Sequence, residues 1–150
     1  MAEPRPVTVA IQIRWSDLDA LGHVNNAVYL SYLEIARIAY MRAVLPPGAE
    51  INPATLLARD FEFILAEVQI HYRSPALLTD DLETSIVVTR VGRKSFVFGY
   101  QIIDRKSGRL IAEACSTQVW YDYEVGESRP VPEQAVQRME TLQGAPIPRG

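Results

Sequence analysis

Cysteine and histidine are scarce in this chain. Its 150 residues include one cysteine, Cys115, and two histidines, His23 and His71. One cysteine excludes an internal disulfide framework and a Cys-based zinc site, and a metal centre would have to be built mainly from carboxylates. No metal and no cofactor are therefore expected. Long hydrophobic runs are missing too. No apolar stretch approaches the ~20 residues of a membrane span, and "MAEPRPVTVAIQIRW" has no basic segment leading into an apolar one. An excess of positive charge is also lacking. The net charge of −3 argues against nucleic acid or a membrane surface as partner. No repeat, low-complexity tract or internal linker is visible. The expectation is a cytoplasmic protein with one domain over residues 1–150.

What is present is ordinary globular material: 48% hydrophobic and 22% charged residues, enough to bury a core without covalent staples. Val7, Val9, Ile11 and Ile13 alternate with Thr8, Ala10 and Gln12, the pattern of a half-buried strand. A helix is expected from about Asn26 to Leu45, stopped by Pro46-Pro47-Gly48. Its polar residues are few: Ser31, Glu34 and Arg37, with Arg42 beyond. Most of its circumference should be buried, with Glu34 and Arg37 spaced for an i,i+3 ion pair on the remaining stripe.

The second half reads as strands that could wrap such a helix. Phe61, Phe63 and Leu65 alternate, and the phase then shifts to Val68, Ile70 and Tyr72, which predicts a bulge near Ala66. Leu82 to Val91 and Ser95 to Ile103 form a pair across a Gly92-Arg93 turn, with Phe96, Phe98, Tyr100 and Ile102 on one face. "DRKSGR" makes another hairpin connection into a last long strand, Leu110 to Tyr123. A short helix follows, with Pro132 in its first turn and Val136, Met139 and Leu142 at helical spacing. The tail "GAPIPRG" is expected to fray. One curved antiparallel sheet around one helix satisfies this order, an α+β architecture.

Between the first strand and the helix lies "DLDALGHVNN", residues 17–26, a cluster of polar groups directly before the most hydrophobic segment. Either it builds a helix start or it is a reaction site held there. The full stretch "DLDALGHVNNAVYLSYLEIAR" carries the pattern D-x-D-x-x-G-H-V-N-N-x-x-Y-x-x-Y-x-E-x-A-R. Together with "VQIHYRSPALLTDDL" and the hairpin "GRKSF", it resembles the 4-hydroxybenzoyl-CoA thioesterase-like branch of the hotdog-fold acyl-CoA thioesterases. The resemblance spans roughly Val7 to Tyr123.

The resemblance implies a hotdog fold and hydrolysis of an acyl-CoA to a free acid and CoA. It implies that Asp19 is the catalytic carboxylate, acting as nucleophile or as general base for water. It also implies that a backbone N–H around Asn26 holds the thioester oxygen, where unpaired amides and the helix dipole stabilise an oxyanion. His23 either bonds the loop or is a catalytic histidine, transferring a proton or tuning Asp19. Asn25 is a helix cap or a substrate ligand. Asp17 is read as fixing the turn, Glu34 is the rival base on the helix, and His71 is a packed or surface histidine. Arg90, Arg93, Lys94 and Ser95 suit the phosphates of CoA, with Arg73 on a neighbouring segment, although charge alone equally describes a solvated hairpin tip. Acyl-ACP is an alternative carrier, and a non-catalytic acyl-CoA binder is the alternative of another class. An open sheet edge, together with the resemblance, implies a homodimer, possibly doubled into a tetramer.

Overall fold

The computed structural model of the protein describes residues 3–52 and 61–150. Strand β1 (Val7–Ile11) leads through two 3-10 turns (Trp15–Asp17 and Asn26–Val28) into helix α1 (Tyr29–Val44). Then come β2 (Phe63–Tyr72), β3 (Leu82–Val91), β4 (Ser95–Asp104), β5 (Leu110–Asp122), the short β6 (Glu127–Ser128) and helix α2 (Glu133–Gln143). The strands form one antiparallel sheet in the order β1-β3-β4-β5-β2, with β6 pairing the end of β5. Only β3–β4 and β4–β5 are therefore hairpins among the long strands. β2 is not joined to its neighbour by a hairpin: it lies at the far edge and pairs with β5.

The alternation seen in the sequence is what turns side chains inward. Leu82, Thr84, Ile86 and Val88 of β3 and Phe96, Phe98, Tyr100 and Ile102 of β4 are buried under α1. From the helix, Tyr29, Tyr32, Leu33, Ala36, Tyr40, Met41 and Val44 meet them. The phase shift near Ala66 is a real bulge. Phe63 and Leu65 oppose Trp120 and Gln118, the register slips between Leu65 and Glu67, and Val68, Ile70 and Tyr72 then oppose Ser116, Ala114 and Ala112. The extra residue keeps both halves of β2 facing the helix side.

Four expectations need correction. The helix is less covered than its composition suggests, because Leu30 (47%), Ile35 (42%) and Ile38 (45%) remain exposed. Arg37 does not share a polar stripe with Glu34. It is 8% exposed and donates through Nη1 to the Tyr100 hydroxyl at 3.2 Å, heading a buried chain through Ser116 and Gln118. Nor does the tail fray. β1 begins opposite Ile86, which leaves the last turn of β3 without a strand partner on that side. Gln143 fills the gap, accepting from Val88 N–H at 2.7 Å and donating to Val88 C=O at 3.1 Å. The tail continues the job, with Val91 N–H donating to Pro148 C=O, Gly150 N–H donating to Val91 C=O, and Ile147 buried. Pro132 is the cap of α2 rather than a residue of its first turn.

Candidate active site

The polar segment before α1 folds into two small units. The first is the 3-10 turn Trp15–Asp17. Asp17 is 1% exposed and surrounded by donors: Arg14 N–H at 3.0 Å, Arg14 Nε at 3.1 Å, Arg14 Nη2 at 2.9 Å and the Tyr32 hydroxyl at 2.8 Å. Burial alone would raise its pKa, but the Arg14 backbone and side-chain bonds and the Tyr32 bond together hold the carboxyl below its ordinary value. Its own carbonyl accepts from Asn25 N–H at 2.8 Å, which ties the turn to the helix start. Asp17 is thus a structural anion, fixing the turn as the sequence suggested.

The second unit is a tight hairpin. Leu18 pairs with Val24, Asp19 N–H donates to His23 C=O at 2.9 Å, and Gly22 N–H donates to Asp19 C=O at 3.1 Å. Gly22 sits at φ 80°, a left-handed conformation that a side chain would strain. His23 pairs with Leu77, and Val24 N–H donates to Ala76 C=O, so the hairpin is docked on the segment before β3. The Asp19 carboxylate is half-buried. Its Oδ1 accepts from Leu21 N–H at 2.9 Å, and its side chain has no other hydrogen bond or ion pair among the described residues.

Asn25 caps the helix start, its Oδ1 accepting from Ala27 N–H at 2.9 Å, while its C=O accepts from Val28 N–H at 2.9 Å. The amides of Asn25, Ala27 and Val28 are all committed. Asn26 N–H has no acceptor among the described residues. A cavity of about 300 Å³ gathers Asp19, His23 and Asn26, with Tyr29, Tyr72 and Ser74 in its wall. Its lining thus includes a residue with a carboxylate oxygen to spare, Asp19, and a residue with an open amide, Asn26. Such a pair can activate or replace water on one side of a carbonyl and hold its oxygen on the other.

Sequence reasoning did not assign Tyr72, Tyr29 or Ser74 to the site, although Tyr72 ends the Val68, Ile70, Tyr72 alternation that follows the bulge. Arg73 also borders the cavity, but its guanidinium pairs with Glu113 at 3.1 Å. Glu34 lies exposed on α1, outside the cavity wall, and His71 is exposed on β2. The candidate phosphate residues stand elsewhere. The Gly92–Ser95 turn joins the opposite end of β3 and β4, and the ten residues of β3 separate it from the hairpin end by about 30 Å. There Arg90 donates to Gly150 C=O at 3.1 Å and Lys94 to Ser128 Oγ at 3.4 Å. Arg93 is exposed, with no side-chain partner among the described residues, and Ser95 C=O accepts from Gly92 N–H. One chain thus holds Asp19, His23, Asn25 and Asn26 together and the basic hairpin apart.

Comparison with known proteins agrees with this architecture. The model of the thioesterase-like superfamily matches residues 13–139. The long-chain acyl-CoA thioesterase FadM of Escherichia coli K12 is 28% identical over 134 residues, covering 88% of this chain and 96% of that protein. The acyl-CoA thioester hydrolase YbgC of Escherichia coli O6:H1 is 27% identical over 100 residues, covering 67% and 71%. Among solved structures, a thioesterase of Thermus thermophilus complexed with coenzyme A and Zn superposes with a TM-score of 0.79 at 30% identity, covering 98% of this chain and 100% of that one. Among the described residues no group of three or more His, Cys, Asp or Glu is arranged to hold a metal ion.

Proposed function

The chain belongs to the thioesterase-like superfamily and is a thioester hydrolase; on that premise we propose that it cleaves acyl-CoA to a free acid and CoA, using the Asp19 carboxylate against a carbonyl held by Asn26 N–H. The observation that carries this reading is a single cavity lined both by Asp19, whose carboxylate has an oxygen to spare, and by Asn26, whose N–H has no acceptor among the described residues. As general base, Asp19 takes a proton from water as its oxygen bonds to the thioester carbon. As nucleophile, it bonds to that carbon itself, and water then cleaves the mixed anhydride. On either route the C–S bond breaks, the thiolate leaves, and it is protonated to free CoA. Negative charge collects on the carbonyl oxygen, where a donor that need not reorganise is most effective. His23 lines the same cavity as Asp19.

The working unit is a homodimer. β2 is a ten-residue edge strand, and Leu65 and Tyr72 on it are exposed, as are Leu30 and Ile38 on α1. Two copies pairing antiparallel along β2 would set the Phe63 end of one beside the Tyr72 end of the other. Ser95 opposes Val119, next to the residue that opposes Phe63, so this pairing brings the partner's basic turn towards the cavity. Arg90, Arg93, Lys94 and Ser95 then meet CoA phosphates across the interface, although they lie far from Asp19 within one chain.

Thiol release measured on a panel of acyl-CoA substrates tests the activity. Turnover is expected. Saturable acyl-CoA binding without thiol release would instead make the protein a binder, and release from acyl-ACP alone would change the carrier. Light scattering that gave a fully active monomer would remove the shared site.

A further inference from the structure

The peptide that follows the open Asn26 amide is clamped at both ends. Its N–H, on Ala27, is taken by Asn25 Oδ1 at 2.9 Å. Its C=O, on Asn26, accepts from the Tyr72 hydroxyl at 2.8 Å. Tyr72 reaches across from the last position of β2, forty-six residues further along the chain. Its ring stands edge-on to Tyr29, with centroids 5.1 Å apart, and both rings line the cavity that holds Asp19. The preceding peptide, which carries the open Asn26 N–H, is held only through its C=O, on Asn25, by Val28 N–H at 2.9 Å.

We infer that Tyr72 is a positioning residue for the thioester carbonyl: its phenol fixes the Asn26 residue from the sheet side and so aims the Asn26 N–H into the cavity. This rests on the proposed role of that amide. The physical reason is that 3-10 turns are short and poorly bonded, so a turn of three residues at a helix start does not hold one N–H in direction unaided. An oxyanion donor is effective only if its orientation is set before charge develops. A tyrosine anchored on the sheet and packed against Tyr29 supplies that constraint from outside the turn. The Asn26 side chain plays no part in it, which explains why the contact was invisible in the sequence: a backbone carbonyl is the acceptor.

Tyr72→Phe keeps the ring and its contact with Tyr29 and removes only the bond to Asn26. The expected result is a fall in kcat of about tenfold with KM within about twofold, since the lost constraint matters most in the transition state. A ketone analogue, with CH2 in place of the thioester sulfur, should bind about fivefold more weakly to the variant, while a thioether analogue lacking the carbonyl should bind equally to both proteins. The control is Tyr123→Phe, which removes a similar phenol-to-carbonyl bond, to Phe63 C=O at 2.8 Å, outside the cavity. Its kcat should stay at the wild-type value. Unchanged kcat in Tyr72→Phe, or equal losses in both variants, would overturn the inference. Failure of the underlying reading is distinguishable, because the wild-type protein itself would then release no thiol.

Discussion

The loop before α1 holds two aspartates two residues apart, and its two halves treat them in opposite ways. In the first half, Asp17 is buried and receives four donor contacts, three of them from Arg14. In the second, Asp19 lies half-exposed on a hairpin, and its side chain gives one oxygen to the Leu21 amide. A carboxylate with its lone pairs taken has nothing left for a substrate. One with an oxygen to spare at a cavity wall has. The same residue type therefore serves as cement in one half and, on the proposed mechanism, as reagent in the other, and what separates the two is the count of donors around each.

The strongest way to break this comparison is Asp19→Asn. The amide keeps the shape and can still accept from Leu21 N–H, but it is a far weaker base and nucleophile. Loss of about 10³-fold in kcat is expected, with the melting temperature nearly unchanged. If Glu34→Gln loses turnover while Asp19→Asn keeps it, the base sits on the helix instead. After a single turnover in ¹⁸O-water, label in the Asp19 carboxylate would establish the nucleophilic route with water opening the anhydride at the Asp19 carbonyl, whereas the general-base route places the label in the acid product alone.

Asp17→Asn should show the reverse profile, with stability lower by about 2 kcal/mol and turnover per folded site little changed, because buried donors lose an ionic acceptor. The effect is pH-dependent. The folded-state pKa of Asp17 is depressed, so its contribution is complete above the ordinary carboxyl value near 4 and is lost as pH falls through the lower folded value. Denaturant melts of wild type and variant should therefore converge below about pH 4. A gap that widened on acidification would refute the assignment.

Two smaller effects sharpen the contrast. Neutralising Arg93 and Lys94 together should raise KM for acyl-CoA about tenfold with modest loss of kcat, because remote phosphate contacts are largely uniform binding. The same change should not affect a pantetheine thioester lacking the nucleotide, and equal losses would show that the hairpin does not hold it. Gly22→Ala should cost about 1 kcal/mol in chemical denaturation through backbone strain alone, since nothing lies within 4 Å of the added Cβ.

Much of this was legible in the chain itself. Period-two alternation located β1 and β4, turn signals bounded β3 and β5, and the phase slip at Ala66 located the bulge in β2, because burial on one face demands that alternation whatever the partner strand. The dense polar motif marked the segment that lines the cavity, Asp17 fixes its turn as expected, and of the two readings of Asn25, cap or substrate ligand, the cap is the one the hydrogen bonds show. Strand order was not legible in the same way: β2 carries no local signal that its partner is β5 rather than β3.

The sequence by itself determined the elements, the inward faces and the residues available for chemistry, since these depend on local periodicity and turn geometry. Only the tertiary structure decided which groups are spent and which are free. It buried Arg37 against Tyr100, stitched the tail to β3, separated the basic hairpin from Asp19, and left Asn26 N–H open beside Tyr72. Those outcomes are set by partners far apart in the chain, and a hydrogen bond to a backbone carbonyl leaves no mark on the side chain that owns it.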